Sequence, residues 1–537
     1  ARSASKQLPL WDLHFVQALA MSCSGDWTGI TVAVTGACGG YGAFLTRSLV
    51  KAGAHVRALD MRRDDHLGSL AEAEASGKAT FICCNLCADD TKPLREALAG
   101  VRVIFHTVAY FGDPPFTNTR FANPGHEEKM RATNVTCVDR LLAIAREEHV
   151  QAFVHTSSTN VLFSGRQELI NAIETNQYPK PSECIDLYSV TKAEAERLAI
   201  GADCEGGLRT ASVRPNGIYG PSMRCYALAK LLFQLAPIGA LPIKFLDHNF
   251  QEPLVDWCHV ENLALVQMLV AKQLLAQNKI VCGSIYHASD DVVSTNTEFI
   301  GQILRRMGFL VMPIIPLPAQ VMQPVSYGLE AACSALRKVT GSRSIVAPLT
   351  SVEAAKATLS NYQNVEKAKR ELGFVAIPQS KLMDGIGEFA RNWYQDNAAI
   401  PAVSAPLGVA ILLGMAMTLF LALADVHCFE GAPWLILRKL CSAVLPAMAS
   451  MSLEAFQRKV LLIGICVPML GLHIGDGLVA SYIARRRSHL RWMQYGMRTV
   501  LFGFAQLRHL LPKTAGPWYG GVVALAFAAS GVAAAAA

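Results

Sequence analysis

Tyr188 and Lys192 stand four residues apart in "DLYSVTKAEAERLA", at the head of a stretch with helical apolar spacing. Residues four apart on a helix share a face, one turn above the other. A phenol with an ordinary pKa of about 10 is a poor base near neutrality, and a neighbouring ammonium favours its phenolate. Tyr188 can then exchange a proton with a substrate hydroxyl or carbonyl while hydride moves to or from a nicotinamide, with Lys192 also holding the nicotinamide ribose. The reacting oxygen needs a further hydrogen-bond donor. "FVHTSSTNV" offers Ser157 and Ser158 at the end of an apolar run, and Ser158 is taken for that role. A YxxxK pair usually marks two solvated helix residues and a double serine usually marks a turn, so their weight comes from what surrounds them.

Upstream, "TGACGGYG" places Gly36, Gly39 and Gly42 after one β-rich run and before a helical pattern. That is the context a dinucleotide fingerprint requires: a tight turn, close approach of backbone to a pyrophosphate, and a helix N-terminus aimed at its charge. Asp60 closes the next run, "HVRALD", where a carboxylate accepts hydrogen bonds from an adenosine ribose and repels a 2′-phosphate. NAD is therefore favoured. Arg62 and Arg63 keep NADP as the alternative, because arginines here can clamp that phosphate.

These residues need a frame. From residue 30 to about 310, β-rich runs alternate with helical patterns, which predicts a doubly wound parallel sheet of Rossmann type. The expected strands are "ITVAVTG", "HVRALD", "ATFICC", "VRVIFHTVA", "AFVHTSS", "RTASVRP" and "SIYHASD", with "AFLTRSLVKAGA" and "VDRLLAIAREEH" among the helices. Fifteen scattered cysteines do not make a disulfide framework, and the lone CxxC of Cys84 and Cys87 lacks the second pair a zinc site needs. No metal site is expected, and the cysteines read as small buried hydrophobes in a reducing compartment.

With "TGACGGYG", "VIFHTVAYFG", "VHTSSTNVLFSG", "YSVTK", "SVRPNGIYGP", "VDWCHVENLALVQMLVA" and "NVEKAKRELGF" together, residues 30 to 393 resemble an extended short-chain dehydrogenase/reductase of the 3β-hydroxysteroid dehydrogenase/isomerase type, more narrowly family 42E. The resemblance implies Ser158, Tyr188 and Lys192 as catalytic residues, the latter two also touching cofactor. Gly36, Gly39, Gly42 and Asp60 would hold the dinucleotide, with Pro215 and Asn216 near the nicotinamide; Arg62 joins them by its place after Asp60, as a clamp for a 2′-phosphate. Asn85 stands where relatives have an aspartate touching adenine, and Cys137 replaces a usual glycine. A smaller substrate subdomain on the C-terminal side of the Rossmann core is implied as well.

Over the whole chain 52% of residues are hydrophobic and 17% charged, which directs attention to a membrane segment. "VSAPLGVAILLGMAMTLFLALA", residues 403–424, carries no Lys, Arg or Glu and is long enough to cross a bilayer. Residues 460–484 make a second run that ends at Arg485, Arg486 and Arg487, a cationic stop. Its His473 and Asp476 share a helix face and are expected to meet another helix or water. Around these runs the tail resembles a small transmembrane domain family. The expected organisation is an extension over 1–29, a dehydrogenase domain over 30–397 and a helical membrane domain over 398–537. The first 23 residues read as the remnant of a targeting segment or as a fragment's edge.

The net charge of +7 is modest and forms no basic stripe interleaved with aromatics, so nucleic acid is not an expected partner. Two functions of different class follow. One is a membrane-anchored NAD(P)-dependent oxidoreductase acting on a secondary alcohol or ketone of a sterol-like lipid, in the endoplasmic reticulum first or the mitochondrial inner membrane second. The other is an accessory subunit of a membrane complex, joined through its C-terminal helices.

Overall fold

A computed structural model of the chain describes residues 26–112, 125–222, 224–225, 240–306, 310–341, 347 and 349–396. The expected spans at 403–424 and 460–484, with His473 and Asp476, lie outside the described residues, as does the extension before residue 26. Among the described residues no helix is long and apolar enough to cross a membrane.

The first half alternates strand and helix: β1 (Thr31–Thr35), α1 (Gly42–Lys51), β2 (His55–Asp60), α2 (Ser69–Ala75), β3 (Ala79–Cys83), α3 (Lys92–Leu98) and β4 (Val103–His106). A short helix, α4 (His126–Arg131), runs through a π-helical turn, Ala132–Thr136, into α5 (Cys137–Glu147). Then come β5 (Ala152–Thr156), β6 (Leu169–Ala172), α6 (Leu187–Gly201), β7 (Arg209–Pro215) and β8 (Gly217–Tyr219). β9 (Ala240–Leu246), β10 (Leu254–His259), α7 (Val260–Leu275), β11 (Ser284–Ala288), β12 (Val293–Thr295) and α8 (Asn296–Arg306) follow. The described chain closes with β13 (Leu310–Pro318), α9 (Ala319–Thr340), α10 (Ser351–Thr358), β14 (Asn361–Gln363), α11 (Glu366–Leu372) and α12 (Gln379–Asp396).

Seven strands form one parallel sheet in the order β11-β7-β5-β4-β1-β2-β3. They are the seven runs expected from sequence. The order reverses between β1 and β4, which opens the crevice where a doubly wound sheet binds its ligand. Strand residues alternate between the two faces. Val32 and Val34, Val103 and Phe105, Ala152 and Val154 pack with α1 and α7, whereas Ala33, Ile104 and Phe153 pack with α3, α5 and α6. This two-sided core fixes which strand ends can present chemistry.

A second sheet runs β12-β10-β14-β6 with β8 paired to β10, and β13 pairs with β9. By compactness the chain splits into one unit holding Ala1–Lys230, Ile243–Ile303 and Pro313–Phe389, and another holding Leu231–Pro242, Leu304–Met312 and Ala390–Ala537. All site residues discussed below belong to the first unit. Among the described cysteines all eleven are free, but only Cys38, Cys84, Cys137, Cys225 and Cys258 are buried. Cys83, Cys87 and Cys204 are exposed, which corrects the expectation of buried thiols at those positions: they fall on a strand end and in loops.

Candidate active site

The glycine loop leaves β1 with Gly36 at φ +73°, a backbone shape that L side chains resist. A Cβ at Gly42 would lie 2.0 Å from the Gly36 carbonyl oxygen, so the first turn of α1 closes on the loop only without a side chain there. Gly40 carries the same demand for a reason the sequence hides. A Cβ on it would lie 2.3 Å from the Arg224 carbonyl oxygen, because the segment after β8 crosses the loop at this point.

Asp60 ends β2 beside this loop, half-buried. Its carboxylate accepts from the Cys38 backbone N–H at 3.0 Å and from Met61 N–H at 2.8 Å. Each carboxylate oxygen keeps a lone pair for a ribose hydroxyl. Tight glycines, a helix N-terminus and a carboxylate tied to the loop itself fit a dinucleotide. Arg62 is exposed, but Arg63 is not free to serve a 2′-phosphate: it makes a two-point pair with Glu74 and lies over the Phe81 ring. Asn85 is exposed after β3, its side chain accepting from Cys87 N–H at 3.0 Å. Pro215 is buried at the end of β7, and Asn216 turns its amide to Asp256 and to the Asn361 carbonyl in the second sheet.

Replacing Asp60 with alanine is expected to raise NADP affinity relative to NAD by about tenfold, since one close like charge near the surface costs about 1–4 kcal/mol. Titrating both dinucleotides into the variant checks this, and a wild type that already prefers NADP would contradict it.

The structure sets Tyr188 beside Ser158 and turns Lys192, one helical turn on, toward β5. β5 delivers Ser158 just past its C-terminal end, on the same edge of the sheet as the glycine loop after β1, because both strands run in the same direction. Ser157 is buried whereas Ser158 is half-buried, so the side chain nearer the crevice is Ser158. Asp186 caps α6, its carboxylate accepting from Ser189 N–H at 2.7 Å. That cap sets where Tyr188 and Lys192 emerge. Both are almost fully buried.

Burial pushes the Tyr188 phenol above its ordinary value, a hydrogen bond with Ser158 pulls it part of the way back, and the Asp186 charge pushes it up again. The Tyr188 ring stacks on Phe111 with centroids 4.7 Å apart. Asn134 braces the loop that carries Phe111, bonding Tyr110 N–H at 2.7 Å, the Tyr110 carbonyl at 3.0 Å and the Thr191 hydroxyl of α6 at 3.1 Å. Lys192 differs from the sequence expectation. Its ammonium donates to the Thr156 carbonyl at 2.6 Å and contacts His155 Nε2 at 3.3 Å, and it is not among the groups that shift Tyr188. A long side chain on the buried face of α6 finds acceptors on β5 before it reaches the phenol one turn away. Burial brings Lys192 down to about 8, with Glu196 holding it up.

With this geometry in hand, the comparisons decide the family. Residues 33–319 match the 3-beta hydroxysteroid dehydrogenase/isomerase family. The chain belongs to that family. As a member it is an NAD(P)-dependent oxidoreductase. Short-chain dehydrogenase/reductase family 42E member 1 of Xenopus laevis is 28% identical, over 67% of this chain and 88% of the relative. The sterol-4-alpha-carboxylate 3-dehydrogenase ERG26, decarboxylating, of Candida albicans is 30% identical, over 51% of this chain and 75% of the relative. Among solved structures, the epimerase Mth375 of Methanothermobacter thermautotrophicus shares the fold at a TM-score of 0.50 and 19% identity, over 72% of this chain and 96% of that one.

Proposed function

We propose that this chain is an NAD-dependent dehydrogenase for a secondary alcohol of a sterol-like lipid, a 3β-hydroxyl in the first instance, working at a membrane. The observation that carries the reading is the meeting of Ser158 and Tyr188 on the sheet edge that also bears the glycine loop and Asp60. Bound NAD supplies the hydride acceptor and, when oxidised, a positive charge. Gly36, Gly39, Gly42 and Asp60 would hold its adenosine and pyrophosphate, and Lys192 would direct an N–H to the nicotinamide ribose. Once ionised to the phenolate, which the positive charge of the oxidised nicotinamide would favour, Tyr188 would take the proton of the substrate hydroxyl at its phenol oxygen. Ser158 would donate a hydrogen bond to the same substrate oxygen, and Phe111 covers one face of the Tyr188 ring.

Substrate class is supported by the names of two kinds of relative, a family 42E member and a sterol-4-alpha-carboxylate 3-dehydrogenase. Residues 403–424 would anchor the enzyme in the endoplasmic reticulum membrane, where a lipid substrate is dissolved. The same apolar tail would also be the contact to any membrane partner. The full chain in mild detergent should reduce NAD when given a 3β-hydroxysterol, and faster with a carboxylate at the neighbouring carbon if loss of that group follows oxidation. Dinucleotide binding with no turnover on either sterol, together with migration only inside a larger assembly, would favour the accessory-subunit role instead.

A further inference from the structure

Lys192 is held by more than its helix. β5 runs through the middle of the sheet, and every residue of it from Ala152 to Thr156 is buried. His155, fully buried, sets its Nε2 3.3 Å from the Lys192 ammonium, and the next carbonyl, Thr156, accepts at 2.6 Å. An ammonium has three N–H bonds. Two are directed into β5, which leaves one for the crevice. Behind His155 a row of polar residues crosses the sheet in register: Thr35, His106, His155 and Ser212. The His106 and His155 rings stack with centroids 5.6 Å apart, and His106 Nδ1 meets the Thr35 hydroxyl at 2.8 Å.

We propose that His155 is a positioning residue for the oxidoreductase reaction: as a neutral acceptor it fixes the Lys192 ammonium so that its remaining N–H faces the cofactor ribose. The inference rests on the ribose-holding assignment of Lys192. A neutral ring is the right acceptor. A carboxylate would neutralise the ammonium and a leucine would strand it. Burial, the Lys192 charge and His106 all disfavour a proton on His155 beyond the first, so the imidazole does not turn into a competing cation. In the neutral ring Nδ1 then carries the proton and Nε2 offers its lone pair. The other groups facing this pair are His106 on β4 and Glu196 on α6, with Arg214 on β7 and Tyr178 beyond Glu196. His106 is itself held uncharged by burial, at about 3. Glu196 is spoken for by Arg214, which leaves His155 as the side-chain acceptor the ammonium touches.

The test is the pH dependence of NAD affinity, measured by calorimetry on the full chain in detergent, which reads the lysine without requiring turnover. In the wild type, affinity is expected to weaken as pH rises through about 8, where Lys192 gives up its charge. His155→Leu withdraws a hydrogen bond from the charged form, so the lysine loses its proton earlier. The weakening moves down by about one pH unit, with affinity at neutral pH lower by about twofold. His155→Gln, which keeps an acceptor at similar reach, restores the wild-type midpoint. If the leucine variant does not fold, His155→Met replaces it. An unmoved midpoint in the apolar variant, or a glutamine variant that behaves like it, overturns the proposal. Lys192→Met separates the two levels. Wild-type NAD affinity in that variant overturns the ribose assignment and this inference with it, whereas weakened binding there beside an unmoved His155→Leu midpoint overturns the role of His155 alone.

Discussion

Tyr188→Phe is expected to cut NAD-coupled turnover by about 10²- to 10⁴-fold while NAD affinity stays at the wild-type level, the span typical for losing a positioned acid or base. The substitution removes one oxygen and little else. The phenylalanine ring keeps the stack on Phe111, and the helix cap at Asp186 does not involve the phenol. The sign of the pH dependence follows from the same environment. Burial holds the phenol above its ordinary value, so the protein alone carries Tyr188 protonated throughout the neutral range. Reduction of a ketone, which needs the phenol as acid, is favoured on the lower side. Oxidation of an alcohol, which needs the phenolate, gains as pH rises. Steady-state rates in both directions with parallel calorimetry check the prediction. Turnover in the variant within about tenfold of the wild type would take Tyr188 out of the proton transfer.

The main sheet was legible because its strands are buried on both faces. Val32 to Val34 or Ala152 to Val154 read as apolar runs, and parallel strands of this kind announce themselves by composition. The second sheet was not. β8, β12 and β14 have three residues each, and β6 exposes two of its four, so their pairing depends on partners far away in sequence. The candidate site divides the same way. Gly36 and Gly42 answer to each other across a local turn, and the pattern gave both. Gly40 answers to Arg224, and no local pattern carries that. Arg63 looked available for a phosphate until Glu74, eleven residues on, was seen to hold it. Lys192 was placed beneath Tyr188 by helical spacing, yet where its ammonium points is decided by Thr156 and His155 on a different element. His155 itself sits inside a run that reads as plain core strand.

Glu196→Ala is expected to lower the stability of the dehydrogenase unit by about 3–5 kcal/mol, the usual cost of stranding one partner of a buried ion pair. Glu196 and Arg214 are both fully buried between α6 and β7. Arg214 bonds both carboxylate oxygens, at 2.7 to 3.0 Å, while the Ser212 hydroxyl donates at 2.9 Å and the Tyr178 hydroxyl at 2.8 Å. Burial alone would push Glu196 up, but the Arg214 charge and these hydrogen bonds outweigh it and leave the carboxyl below its ordinary 4.5. A depressed carboxylate contributes stability that is present above its unfolded pKa and fades as pH falls through the folded one. The difference between wild type and variant should therefore be full at neutral pH and shrink only in acid. Glu196→Leu/Arg214→Met removes both charges and should recover most of the loss, because an apolar pair of similar volume is often neutral in such a site. The two variants differ for stability but not for the lysine one turn above. Glu196 holds the Lys192 charge up, so both should titrate Lys192 lower than the wild type does. Denaturation midpoints and the pH dependence of NAD affinity, measured on the same preparations, separate these effects. An unchanged midpoint in the single variant would mean that the pair is solvated and does not tie α6 to the sheet.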